Sequence, residues 1–582
     1  MLRSSRACFA LIRSLLLGAT VVSATALSAS VLVGCADENK PDYWLGKLDD
    51  PKWRPNAVKR LTQFLDDALT RAEGKQEDPN VKALKDQLVA PLSEVYVTSY
   101  GDLDTKTRVT LIKLLADFRD ERAVGALKKA FEEFAKRPRE TKDEQDIKWA
   151  VRAYGDMGSK ELAGPVLAAF DALKAHTQLG GIVYKDYSKA MVDSPAAEWE
   201  SALIGKLDAK IKHPNSGKNP QQKRDLVDPY RDELFWQVTA AQVLGELKSA
   251  QAVEPLIKVI LDPTKGDVAT TALLALVKIG KPAVDRAIKV LNESDPLVAF
   301  AKKAIKEATE ASKEPEGNPA LSTAAAIIGM CGRADGIDPL VSALEGKLDD
   351  EQKTLIAREL PKMPANDKSK AAFKKAFESI SLDATVQGTP ALMILAESAA
   401  SFYDPGMVDW MLDRAANTTG GGEAKQGLQQ TLVTSALKVA KAAQWDTVAA
   451  AAHSYKVDDL LKPVEPLVKS CGDKVECYLQ AVEKSEFHTR EKQLAGIKAS
   501  YMIGVLGDAK ARDALVDRIS SIENDAVHYT ALAAIDQLSP KAAPDVVKVL
   551  DGYIEKNEKS GDADKLSKNQ PLKQVASRIS VR

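Results

Sequence analysis

Between Leu234 and Asp262 the apolar residues return on a helical period twice, with a short polar break between them. Val238, Ala241, Leu244 and Leu247 fall three apart, which places them on one face of a helix. Lys248-Ser249-Ala250 supplies a turn, and Val253, Leu256, Ile257 and Ile260 then form a second stripe. Neither short helix buries its stripe alone, so the pattern predicts helix pairs stacked against neighbours on both sides. The unit recurs. Gly245 is followed ten residues later by Pro255, Gly329 by Pro339, Gly155 by Pro165 and Gly504 by Ala514. Weaker copies place Ala116, Val277, Ala400 or Asp536 where the glycine stands, and the steps from Gly245 to Val277 and from Gly504 to Asp536 are each 32 residues. A small residue near the end of the first helix is expected to let the second helix fold back closely. A proline suits the first turn of that second helix, where its missing N–H costs little.

This arrangement is clearest over residues 240–261, which read A-x-x-LG-x-L…A-x-x-PLI. It resembles the HEAT repeat family, including HEAT-like repeats of the phycobilisome-lyase type. The resemblance extends over most of residues 43–555 and is strong in about four units. It implies an all-α fold, a superhelix (α-α solenoid) of HEAT-like helix pairs. The expected organisation is N-terminal repeats over 43–175, an irregular basic insertion over 176–232, and central repeats over 233–312. A hinge follows at 313–319, then C-terminal repeats over 320–555, and a charged tail over 556–582 that is frayed apart from a short segment from Leu572 to Ile579.

Composition adds a solubility class and an address. With 45% hydrophobic, 28% charged and 5% aromatic residues, the chain fits a soluble helical protein, and its formal net charge of −1 argues against nucleic acid as a global partner. Residues 1–34 are of another kind: Arg3, Arg6 and Arg13 precede an uncharged run from Leu15 to Val33, the layout of a secretory signal peptide. Leu32-Val33-Gly34-Cys35 resembles a bacterial lipobox, which implies cleavage before Cys35 and covalent lipid on that residue. An uncleaved membrane anchor is the alternative. Loss of three arginines would take the formal charge from −1 to −4. Residues 35–42 would be a lipidated tether reaching roughly 20 Å at full extension. More than one acyl chain meets the requirement for stable anchoring. Ala36 after the cysteine points to the outer membrane facing the periplasm rather than the inner membrane, in the sorting scheme of enterobacteria.

Candidate chemistry is sparse. Cys471 and Cys477 flank a Gly-Asp turn, and across a helix corner they reach disulfide geometry; export to an oxidising compartment favours the bridge over two free thiols or a metal pair. Cys331 reads as a small core residue. The five histidines (His176, His213, His453, His488 and His528) are scattered, and no H-E-x-x-H, G-x-S-x-G or phosphate-loop motif is present. The expectation is therefore no enzyme, no cofactor beyond the lipid on Cys35, and no metal. Lys206, Lys210, Lys212, Lys218, Lys223 and Arg224 make the most basic stretch, either a solvated insertion or a docking loop for an acidic partner or anionic lipid. Tyr187 and Trp199 stand out in the same stretch. The chain thus reads as a membrane-anchored scaffold in the bacterial envelope that binds an unidentified protein along a curved surface lined by second helices. An enzyme or chromophore-processing factor of the lyase-repeat type is the alternative, and a purely structural spacer is a third reading.

Overall fold

The computed structural model describes residues 37–136, 145–174, 180–483 and 489–582. The described residues fall into two compact units, 37–91 and those from 92 onward. In the first, the helices Pro41–Leu45 and Arg54–Arg71 pack Trp44, Leu48, Val58, Leu61 and Leu65 into a small core. The Arg54 Nε donates to the carbonyl of Leu48 at 2.7 Å, tying the corner between them.

The second unit is built of helix pairs, and each pair starts where the sequence places a cap or a break. Asp104 accepts from the Thr107 amide to begin Thr105–Phe118, and Asn524 does the same for Asp525–Gln537. Pro165, Pro255 and Pro339 each fall in the first turn of a second helix, in Ala163–Ala172, Val253–Leu261 and Ile337–Leu344, where no intrahelical bond is lost. Among the described residues, the sole sheet is a two-residue hairpin pairing Thr385–Val386 with Thr389–Pro390. Gln387 and Gly388 both take positive φ at its tip, as a type I′ turn demands.

The first helices form a continuous row. It runs from Thr105–Phe118 through Gln145–Met157, Gly180–Asp193 and Val227–Glu246 to Gly266–Ile279. It continues through Leu321–Cys331, Asp350–Ala357, Ala391–Ala399, Gly422–Val439, Arg490–Leu506, Asp525–Gln537 and Asn569–Ser580, and this last helix touches Gly266–Ile279 again. The row therefore closes on itself as a ring of eight helices. From Gly180 onward, consecutive first helices meet more extensively than consecutive second helices do. The inner side is thus lined by first helices, the reverse of the expected sidedness.

The repeat glycines explain why. A Cβ on Gly245 would lie 2.9 Å from the Ala275 Cα, and one on Gly155 3.1 Å from Ala190, in each case on the first helix of the next repeat. Gly329 meets Glu359, just beyond the next first helix, and Gly504 meets the ring of Tyr403. At Gly155 and Gly245 the glycine serves first-helix against first-helix approach rather than the fold-back of the second helix.

Polar side chains finish the helix ends. Trp236 donates to the Phe170 carbonyl (3.0 Å), Gln237 to Ala209 (2.8 Å), and Asn318 to Val290 (2.8 Å). Buried Lys498 donates to the carbonyls of Leu437 (2.9 Å) and Ala440 (2.7 Å) at the end of Gly422–Val439. Each such bond reaches a carbonyl at the C-terminal end of another helix, where intrahelical donors run out.

Two stretches differ from expectation. Residues 176–232 hold a regular pair, Gly180–Asp193 and Glu200–Asp208, stacked in the row. Tyr187 and Trp199 are fully buried there and donate to Val166 (2.7 Å) and Ala163 (2.8 Å), so they are packing residues. Among the described residues of this stretch, 209–226 departs from the pair pattern, with one short α-helix, Pro220–Asp225. Residues 556–582 are likewise ordered: Pro544–Ser560, Ala563–Ser567 and Asn569–Ser580 are helices, with Leu572, Val575, Ala576 and Ile579 buried. Lys556, Lys559, Asp562, Asp564 and Lys565, which suggested a frayed tail, are exposed, whereas Arg578 is buried beside the stripe.

Candidate functional site

The last turns of several ring helices converge. Gly329 and Cys331 close Leu321–Cys331, Asp536 lies near the end of Asp525–Gln537, and Arg578 sits in the last turn of Asn569–Ser580. Arg578 donates to the carbonyls of Gly329 (3.1 Å), Met330 (2.8 Å) and Lys362 (2.6 Å), and pairs with Asp536 at 3.1 Å. Arg582 also pairs with Asp536, at 2.9 Å, and donates to the carbonyls of Asp536 and Ser539. Arg578 and the Arg582 side chain are almost fully buried. Guanidiniums suit this place, because the negative ends of helix dipoles and unsatisfied carbonyls gather there. Glu359 is fully buried and held by Lys362 (2.6 Å) and Arg358 (3.2 Å). Burial, opposed by the nearby Arg578 and Arg333, pushes the Cys331 thiol up to about 12, so it carries no thiolate at neutral pH.

Along the wall, Tyr403 stacks on Tyr501 at 5.2 Å, and Lys438 lies 5.8 Å from the Tyr501 ring. Burial lowers Lys438 and raises Tyr501 to about 12, with the Glu397 carboxylate opposing the first shift and adding to the second. An open groove of about 210 Å³ runs between Gly266–Ile279, Leu321–Cys331 and Asp350–Ala357, floored by Leu273, Thr323, Ala326 and Leu355 with Arg358 and Gln387 at its edge.

The residues singled out by sequence fall into three groups. The leader 1–34, the lipobox at 32–35 and Cys35 lie outside the described residues, as do His176 and His488. Cys471 and Cys477 are joined, with Cα atoms 5.3 Å apart across the corner between Leu461–Cys471 and Val475–Glu483. The basic stretch divides. Lys206 is structural, pairing with Asp171 at 2.7 Å and lying 4.8 Å from the Trp236 ring. Lys210, Lys212, Lys218, Lys223 and Arg224 are exposed, and among the described residues none makes an ion pair. The loop that carries them is shaped by the Asn219 cap of Pro220–Asp225 and by Gly217, where a Cβ would meet the Lys223 amide. Arg578, Arg582, Asp536, Glu359 and Lys498 escaped the sequence reading. The available signal was Arg578 beside an apolar stripe at Leu572, Val575 and Ile579.

Over the described residues this fold is a HEAT-like helical-repeat solenoid, all-α apart from the hairpin. Residues 236–262 match the family model described as PBS lyase HEAT-like repeat. Among solved structures, the chain is similar to a crystal structure of a Kap121p mutant, at 12% identity and a TM-score of 0.23, over 91% of this chain and 68% of that one. No curated protein matches it.

Proposed function

We propose that the chain is a lipid-anchored protein-binding scaffold of the bacterial cell envelope, held by Cys35 to the outer membrane on its periplasmic side. The observation that supports binding is the continuous row of first helices together with the open groove lined by Ile260, Leu273, Thr323, Ala326 and Leu355. A repeat array of this kind offers partners an extended surface built from many side chains. The exposed lysines of 209–226 supply a second, electrostatic contact for an acidic region of the partner. The lyase in the family model's name is not carried over to this chain.

Affinity capture from detergent-solubilised envelopes tests the reading, comparing wild type with a chain bearing Lys210→Glu, Lys212→Glu, Lys218→Glu and Lys223→Glu, and with Ala326→Trp in the groove. A partner retained by wild type and lost from both variants is expected. An identical set of proteins on all three chains would overturn the proposal. Anchoring has its own test. Cys35→Ala releases the protein from membranes or leaves its precursor uncleaved, and wild-type fractionation would remove the lipid.

A further inference from the structure

The ring is closed by a junction unlike its others. Where Arg490–Leu506 meets Asp525–Gln537, the contact is apolar, through Ala499, Met502, Ile503, Ala531, Leu532 and Ile535. That core continues into the closing helix through Leu572, Val575, Ala576 and Ile579. It holds no residue of Gly266–Ile279 or Leu321–Cys331, the helices on the far side of the seam. What crosses the seam is polar. Arg578 reaches three carbonyls, Arg333 donates to the Val581 carbonyl, Gln574 points its amide at the Met330 sulfur (3.6 Å), and Lys189 pairs with Glu558 at 3.1 Å. Val581 lies against Gly280 beside these bonds.

Each charge at the seam also has a partner on its own side. Arg578 and Arg582 share Asp536, and Glu558 is held by Lys573 at 2.9 Å. Across from them, Lys189 is held by Asp193 at 2.9 Å, Arg333 by Asp335 at 3.0 Å, and Lys362 by Glu359. Parting the lips therefore strands no buried ion. Water replaces the carbonyls on Arg578, and no apolar core is torn. A junction meant to be permanent would bury apolar surface instead, since that supplies most of the stability of packed helices.

We propose that this seam is a latch: the helices that share this core, residues 489–582, move together away from Gly266–Ile279 and Leu321–Cys331, converting the closed ring to an open solenoid, with Arg578 as the bolt. The inference stands whatever the inner wall binds. Opening widens access to that wall, and rising ionic strength favours it, because the Lys189–Glu558 pair joins an exposed lysine to a half-buried carboxylate within reach of screening ions.

The test measures distance across the seam by spin labels on Lys281→Cys and Ser580→Cys, both exposed, in the full chain carrying Cys35→Ala. Wild type at low salt is expected to show one short distance. Arg578→Ala adds a longer population, raising the open fraction tenfold or more, and 1 M NaCl raises it in wild type. Lys189→Glu, a surface change that leaves the fold intact, opens the seam on its own, and adding Glu558→Lys restores the short distance. A single unchanged distance in wild type at all salt concentrations and in Lys189→Glu would overturn the latch, whether or not Arg578→Ala folds.

Discussion

Alanine placed at two helix glycines is expected to act with opposite signs. Gly552 lies inside Pro544–Ser560, and a Cβ there would meet nothing within 4 Å. Gly552→Ala therefore gains helix propensity without contact cost, a stabilisation of about 0.5–1 kcal/mol. Gly245 sits in the last turn of Val227–Glu246, and its Cβ would lie 2.9 Å from the Cα and 3.0 Å from the Cβ of Ala275. Those atoms belong to a helix backbone and its first side-chain carbon, so no rotamer change relieves the clash. Overpacking of that kind costs about 1–3 kcal/mol, which outweighs the propensity gain and leaves a net loss of about 1 kcal/mol. Urea unfolding followed by circular dichroism measures both, with the midpoint rising for Gly552→Ala and falling for Gly245→Ala. Ala275→Gly added to Gly245→Ala recovers part of the loss, because the partner is the next first helix. Equal stabilisation by the two single changes, or a cycle in which Ala275→Gly has no coupling, would refute the assignment of the glycine to first-helix contact.

Three further outcomes follow from buried polar groups. Lys498→Met leaves the Leu437, Lys438 and Ala440 carbonyls without their donor and is expected to cost about 1–3 kcal/mol at neutral pH, read by the same urea titration. Burial also draws Lys498 down to about 7, so between there and the ordinary lysine range the unfolded chain binds the extra proton; stability from this group rises with pH across that window, and Lys498→Met removes the slope. His528 is held down to about 4 by burial and by the Lys568 ammonium. Its contribution is present above the ordinary histidine value and lost as pH falls from about 6.5 to about 4, up to about 3 kcal/mol, and His528→Phe shifts the acid-unfolding midpoint to lower pH. Reduction of Cys471–Cys477 reopens a short loop, and chain entropy puts the cost at about 2 kcal/mol; hydrogen exchange should report it at residues 461–483 before elsewhere.

How far the sequence could be read depended on how local each feature was. The helix pairs were legible because Gly245 and Pro255, or Gly329 and Pro339, belong to the same thirty-residue unit and sit on periodic stripes. Cys471 and Cys477 were legible because six residues and one corner separate them. The pair Gly180–Asp193 and Glu200–Asp208 was missed because Gly180-Gly181 and Pro195 look like breaks. In the structure, Gly180 opens a helix and Pro195 falls in the corner between the two. The ring was not legible at all. Its closing bonds join Arg578 to carbonyls some 216–249 residues away, and a backbone carbonyl leaves no trace in a sequence pattern.

That last point bears on what sets the curvature. Closely spaced first helices beside more loosely spaced second helices bend an array toward the first-helix side, and enough such steps bring its end back to an earlier member. The small contacts at Gly245, Gly329 and Gly504 permit the tight inner spacing. The polar caps at Gln237, Asn318 and Lys498 fix which helix end sits beside which. Apolar packing between pairs is tolerant of small rotations, whereas a cap must bring a donor within about 3 Å of one carbonyl, so the caps hold the register through which the bend accumulates. Enlarging an inner glycine and removing a cap should therefore differ in kind. Gly329→Val pushes Glu359 away and opens the angle between two neighbours, which carries the far lip out of reach of Arg578 and gives the long spin-label distance without lowering stability at the Lys498 cap. Lys498→Met loosens a junction inside the ring while leaving both lips intact, so it should broaden the distance across the seam rather than add a separate open population. If both variants gave the same distribution, curvature and register would not be separable in this fold, and the seam would be responding to overall stability alone.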